Sequence, residues 1–165
     1  MDLVRRRLKF YLGTSVFGSL FDFEDPRRLE VTKSLIEEVK RVTFEAFISP
    51  LVVAEISKAP EDMRDGLIST IGRLGLPLLA ETEETIKLAQ DYIQEDIIPE
   101  RFRDDARHIA IPVVYNLDAL VSWNYRHMVN LRVKRMVNAI NLKLGYKPIE
   151  ILSPEEITGY GEMES

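Results

Sequence analysis

Four short stretches carry residue types that could do chemistry together. Asp105 and His108 lie three apart in DDARHIA, so on a helix they share a face. Glu55 lies in SPLVVAEI, whose Ser49-Pro50 is a strong helix start: serine caps an orphan amide, and proline loses nothing at the first helical position. Asn124 closes Ser122-Trp123-Asn124, just past Ala119–Val121, an apolar run that reads as a strand buried on both faces. Gly13 follows the apolar run Leu8–Leu12. In a parallel α/β sheet, ligand sites form beyond the carboxyl ends of strands. Residues 13, 55, 105 and 124 are therefore expected at one sheet edge. Carboxylates arriving from separate elements are a way to hold Mg²⁺ or Mn²⁺, which prefer oxygen ligands. Such ions polarise a phosphodiester and activate a water.

The elements that must position them alternate along the chain. Leu8–Leu12 reads as a strand, followed by a turn at Gly13-Thr14-Ser15 and a helical apolar face of Val16, Phe17, Leu20 and Phe21. A helix after Pro26 runs to about Val42, with Leu29, Leu35, Ile36, Val39 and Val42 inward and Glu37, Glu38, Lys40 and Arg41 outward. Ala46–Ile48 is a strand, Pro50–Lys58 a helix, and a further helix ends near Gly75. Leu76–Leu79 reads as a proline-containing edge strand. Thr82 caps a helix closed by Pro99, and Glu100–Tyr115 is a helix kinked or cut short by Pro112. A last long helix runs from beyond Asn124 to Leu144, with Gly145 as its left-handed cap, before a strand at Ile149–Leu152. Residues 159–165 read as a frayed tail. This alternation predicts an α/β fold with a parallel sheet between helices, in one domain spanning 1–165.

Composition narrows the function. No cysteine is present, which excludes disulfides, thiolate chemistry and cysteine-bound zinc. No apolar run suits a signal peptide or a membrane span, so a soluble, cytoplasmic protein with no membrane partner is expected. The net charge is −5, yet residues 101–147 hold nine Lys/Arg against three Asp/Glu. Such a split can mark a phosphate-tolerant face beside an acidic body, or simply solvated helix faces.

The motifs KFYLGTSVFG, SPLVVAEI, DDARHIA, ALVSWNYRHMVN, NAINLKLGY and IEILSPEEI, in that order, resemble the PIN-domain proteins over nearly the whole chain. Many of these are the ribonuclease toxins of bacterial and archaeal toxin–antitoxin pairs. The resemblance implies a three-layer α/β/α sandwich with a short parallel sheet. It also implies cleavage of single-stranded RNA with Mg²⁺ or Mn²⁺ held by three or four acidic residues. Carried over, Glu55 and Asp105 fall on two of those acids as metal and catalytic residues. Asn124 falls where a fourth, aspartate, is usual. Gly13 stands where the first metal-binding aspartate belongs. The resemblance therefore implies a weakened ribonuclease, with Asp104 or Asp22 as substitute ligands. The alternative is an inactive module of the same fold that grips RNA, an antitoxin or a second copy as a homodimer.

Each residue also has a plainer role. Glu55 alone would be a surface charge, and His108 a hydrogen-bonded structural residue rather than a zinc ligand. Ser15, Arg126 and His127, with Tyr125, could line an RNA groove through phosphate and stacking contacts; the last three could equally be ordinary helix N-terminal polarity. Thr14 and Ser15 could orient a metal-bound water or cap the following helix. Trp123 suits a buried anchor, and Asp118 suits a turn before its strand.

Overall fold

The reversal of strand order at β1 opens a crevice at one edge of the sheet. The structure, a computed structural model, describes residues 6–41 and 43–157. Strands β1 (Lys9–Leu12), β2 (Glu45–Phe47), β3 (Ala119–Val121) and β4 (Glu150–Leu152) form one sheet in the order β2-β1-β3-β4. Every pairing is parallel, with Phe10 opposite both Ala46 and Ala119, and Leu120 opposite Ile151. The β1-to-β2 connection moves one way along the sheet, and the β2-to-β3 connection crosses back over β1. Right-handed crossovers in opposite directions put helices on both faces. The result is the expected three-layer α/β/α sandwich, with a crevice beyond the carboxyl ends of β1 and β3.

Seven helices occur among the described residues: α1 (Thr14–Gly18), α2 (Pro26–Lys40), α3 (Pro50–Ile56), α4 (Glu61–Leu74), α5 (Glu83–Gln94), α6 (Arg103–Val114) and α7 (Leu131–Lys143). Their starts follow local chemistry. Asp25, Ser49, Thr82 and Asn130 accept from the amides of Arg28, Val52, Thr85 and Val133. Gly75 and Gly145 end α4 and the turn after α7 at φ of 60° and 89°. The sheet core is filled by Phe10, Tyr11, Leu12, Ile48, Ile109, Leu120, Val121 and Ile151, all buried. Tyr92 of α5 donates to Asn141 Oδ1 of α7 at 2.5 Å, satisfying two buried polar groups at once. No helix among the described residues is long and apolar enough to cross a membrane.

The departures from the sequence reading have physical causes. α6 does not stop at Pro112 but runs two residues further; Pro112 and its neighbours are buried, so packing outweighs one lost backbone bond. α5 ends at Gln94, well before Pro99, because Asp96 takes a left-handed turn at φ 59°. α3 stops at Ile56, short of Lys58. Residues 76–79 contribute one parallel bridge, Ile48 to Leu78, rather than a strand. Glu38, expected outward, is buried. The last helix starts at Leu131, since residues 125–130 form a turn. Val42 and the tail 159–165 lie outside the described residues.

Candidate functional site

Gly13 leaves β1 with its amide donating to Val121 O of β3 at 2.9 Å, so the ends of both strands are pinned side by side. Beyond them opens a cavity of about 190 Å³, lined in part by Gly13, Thr14, Glu55, Asp105, His108 and Asn124. All four positions singled out by spacing therefore meet at one edge. Glu55 comes from the last turn of α3, Asp105 from the first turn of α6, and Asn124 from the end of β3.

The two carboxylates are not left facing each other. Thr14 Oγ1 donates to Glu55 Oε1 at 2.6 Å, and His108 Nε2 contacts the same oxygen. His108 Nδ1 lies 2.8 Å from the Tyr11 hydroxyl, which lies 2.7 Å from Ser49 Oγ. An ionised carboxylate can only accept, so His108 Nε2–H donates to Glu55. In a neutral ring Nδ1 then accepts from Tyr11, whose oxygen accepts from Ser49. Ser49 also receives the amide of Val52 at the start of α3. This chain of donors runs from one helix start through the sheet to the pocket. Burial by itself would raise the Glu55 carboxyl, but its contact with His108, then the Thr14 hydrogen bond, hold it below its ordinary value. Burial pushes the Tyr11 phenol upward, which keeps it a neutral donor.

Asp105 has its own imidazole. Its Oδ2 accepts from His127 Nδ1 at 2.8 Å, and the His127 ring packs on Phe102 at 4.1 Å between centroids. Asn124 holds this histidine in place: its Oδ1 accepts the His127 amide at 2.9 Å, and its carbonyl receives Met128 and Val129. The chain has two histidines, and each is bonded to one of the two expected metal-binding acids.

Other expectations resolve differently. Asp104 contributes nothing to the cavity lining, because its carboxylate pairs with Arg107 Nη1 at 2.8 Å and Arg107 also binds Glu81. Asp22 is exposed and accepts the Glu24 amide. Neither Thr14 nor Ser15 caps α1, whose cap position is Gly13 without a side-chain bond. Ser15 Oγ instead accepts the Trp123 amide at 2.9 Å and lies 3.1 Å from Ser122 Oγ. Trp123 is the buried anchor expected, donating to Thr32. Arg126 is exposed in the turn and lies over Phe102. Tyr11, Ser49, Ser122 and Phe102 had no signal in the sequence as site residues. Only the place of Tyr11 in a strand and the cap role of Ser49 were readable.

These residues do not fit a divalent cation. Among the described residues no group of three or more acidic or imidazole side chains could hold a metal. Gly13 offers no side-chain oxygen, and one oxygen of each carboxylate, Glu55 Oε1 and Asp105 Oδ2, together with Asn124 Oδ1, accepts hydrogen bonds.

No protein-family model matches the chain, and no curated protein matches it. Among solved structures, a chain of VapBC2 from Rickettsia felis, bound to a DNA fragment from their promoter, superposes with a TM-score of 0.55 at 15% identity. The match covers 88% of this chain and 98% of that one. The fold is that of a PIN domain. A second PIN-fold structure, VapBC-5 of Mycobacterium tuberculosis, a member of the VapBC family of toxin–antitoxin systems, aligns at 14% identity and a TM-score of 0.47. It covers the same shares of both chains, 88% and 98%.

Proposed function

We propose that this chain is a toxin-type PIN protein that binds single-stranded RNA but cleaves it slowly or not at all. The observation carrying this reading is that Glu55 and Asp105 are each engaged by a histidine while position 13 has no side chain. A nuclease of this type would use Mg²⁺ or Mn²⁺ to activate the attacking water. Here the pocket holds its carboxylates with protein hydrogens instead, so no hydrolytic step is assigned to it. The residues that remain able to act are Thr14, His108 and Asn124, which fix the pocket's shape and polarity. An antitoxin protein that covers the pocket and a second copy of the chain are the partners this reading admits.

The test compares the protein with Gly13→Asp. Gly13 has φ −72° and ψ 163°, extended backbone open to any residue. A Cβ there would sit 3.4 Å from Val121 O and 3.7 Å from Ser122 Oγ, so aspartate fits without moving the strand ends. Wild type is expected to bind a single-stranded RNA in EDTA, to show no Mn²⁺ uptake by titration calorimetry, and to leave the RNA intact. The variant is expected to gain Mn²⁺ binding. Cleavage by wild type with Mn²⁺ as fast as by the aspartate variant would show the reading to be wrong.

A further inference from the structure

Phe102 carries a guanidinium from two different elements. Arg101, from the short 3₁₀ turn Glu100–Phe102, lies 5.0 Å from the ring centroid; Arg126, from the turn after β3, lies 5.6 Å away. The His127 ring is the third group on the same phenyl. Both arginines are exposed, and neither has a carboxylate partner among the described residues. Their neighbours behave differently: Arg103 pairs with Glu100, and Arg107 with Glu81 and Asp104. Two like charges gathered on one ring repel each other, and stacking offsets that only modestly at an exposed position. Stacking also fixes the planar forks, so less freedom is lost when they grip an anion. The cluster is tied to the pocket, since His127 joins Phe102 on one side to Asp105 on the other.

We propose that Arg101 and Arg126, ordered on Phe102, form the phosphate-gripping platform that holds a single-stranded RNA backbone beside the Asp105 side of the pocket. This rests on the RNA-binding reading and says where that binding resides. A pocket edged by carboxylates repels phosphate, so the attraction has to come from an adjacent uncompensated surface. The planar, bidentate geometry of guanidinium suits phosphate oxygens.

The experiment uses the whole chain and a fluorescein-labelled oligouridylate in EDTA, with anisotropy read across a salt series. Arg101→Ala/Arg126→Ala is expected to weaken binding by about tenfold at low salt. Its slope of log K against log salt is expected to fall by about 1.4, since each single-strand phosphate contact contributes roughly 0.7. Arg101→Lys/Arg126→Lys is expected to keep the slope while binding more weakly, because charge survives and the fork does not. Arg73→Ala, on α4, which contributes nothing to the pocket, is expected to match wild type. Equal affinity and slope in the double alanine variant overturn the platform while leaving RNA binding intact. Absence of binding by wild type overturns the RNA reading itself. If the alanine pair abolishes binding of an oligoglutamate peptide but spares RNA, the surface belongs to an acidic protein partner and the proposal fails.

Discussion

The two ends of the sheet hold their carboxylates in opposite ways. At the amino end, Asp118 accepts the Lys9 amide at 2.8 Å and pairs with Arg6 at 3.0 Å and Lys147 at 3.3 Å. Those cations are half-exposed or nearly so, with side chains 52% and 39% accessible. At the carboxyl end, Glu55 and Asp105, 27% and 21% accessible against 15% for Asp118, face imidazoles that are only 3% and 12% accessible. An exposed ion pair is worth about 0.2–1 kcal/mol and is easily replaced by water. Removing one partner of a buried hydrogen bond costs about 1–3 kcal/mol, because the other group is left unsatisfied. The amino end is thus a clamp built from interchangeable parts, and the carboxyl end a lock in which each part is unique.

The largest effect should come from breaking that lock. His108→Ala leaves Glu55 with Thr14 alone and the Tyr11 hydroxyl with Ser49 alone. Urea unfolding is expected to show a loss of about 3 kcal/mol. Asp118→Asn keeps an acceptor for the Lys9 amide but gives up both ion pairs, for an expected loss of about 1 kcal/mol. If the Asp118 variant is the less stable of the two, the contrast between clamp and lock is wrong.

A pH series sharpens the same comparison. Burial raises the Asp118 carboxyl, but Arg6, the Lys9 amide and Lys147 outweigh it, so this group, like Glu55, is held below its ordinary value in the folded chain. Between the folded and unfolded values the unfolded chain binds more protons, so stability rises with pH there. The contribution is complete above the ordinary carboxylate range and is lost as pH falls through the lowered folded values. Asp118→Asn and Glu55→Gln should each flatten this acid limb in urea titrations at successive pH values. The smallest effect belongs to Asp104→Ala, which loses one partly exposed ion pair. It is expected to change stability by less than about 1 kcal/mol and to leave Mn²⁺ titration of the Gly13→Asp protein unchanged. A large change in that titration would return Asp104 to the site.

Much of this was readable before any coordinates. Ser49-Pro50, Asp25-Pro26, Thr82 and Gly145 announce helix ends through interactions that span only a few residues, and each stands where it was expected. The meeting of positions 13, 55, 105 and 124 was also legible, since strand ends in a parallel sheet share an edge. The partners of the acids were not. Asp105 and His108 share a helix, yet each bonds to a residue from a distant element, 22 and 53 positions away. Helical spacing says which side chains emerge on one face and nothing about what tertiary packing brings to them. Asn124 lines the pocket as expected, but its bond to the His127 amide in the turn after β3 could not be read from the sequence. Glu38 and Pro112 were misplaced because burial overrides local preference where neighbours are already packed.

One feature at the margin of the sheet bears on how the protein behaves in crowded solution. β2 is an edge strand, and an uncovered edge is a template for intermolecular pairing. Here Ile48 donates to Pro77 O and receives the Leu79 amide, so a single bridge continues the line of β2 just past its end. Pro77 and Leu79 both turn their backbone groups inward to Ile48, so only Leu78 faces outward, and the segment is too short to recruit a new strand. The line past β2 thus exposes the backbone of a single residue, which leaves little there for a neighbouring chain to pair with.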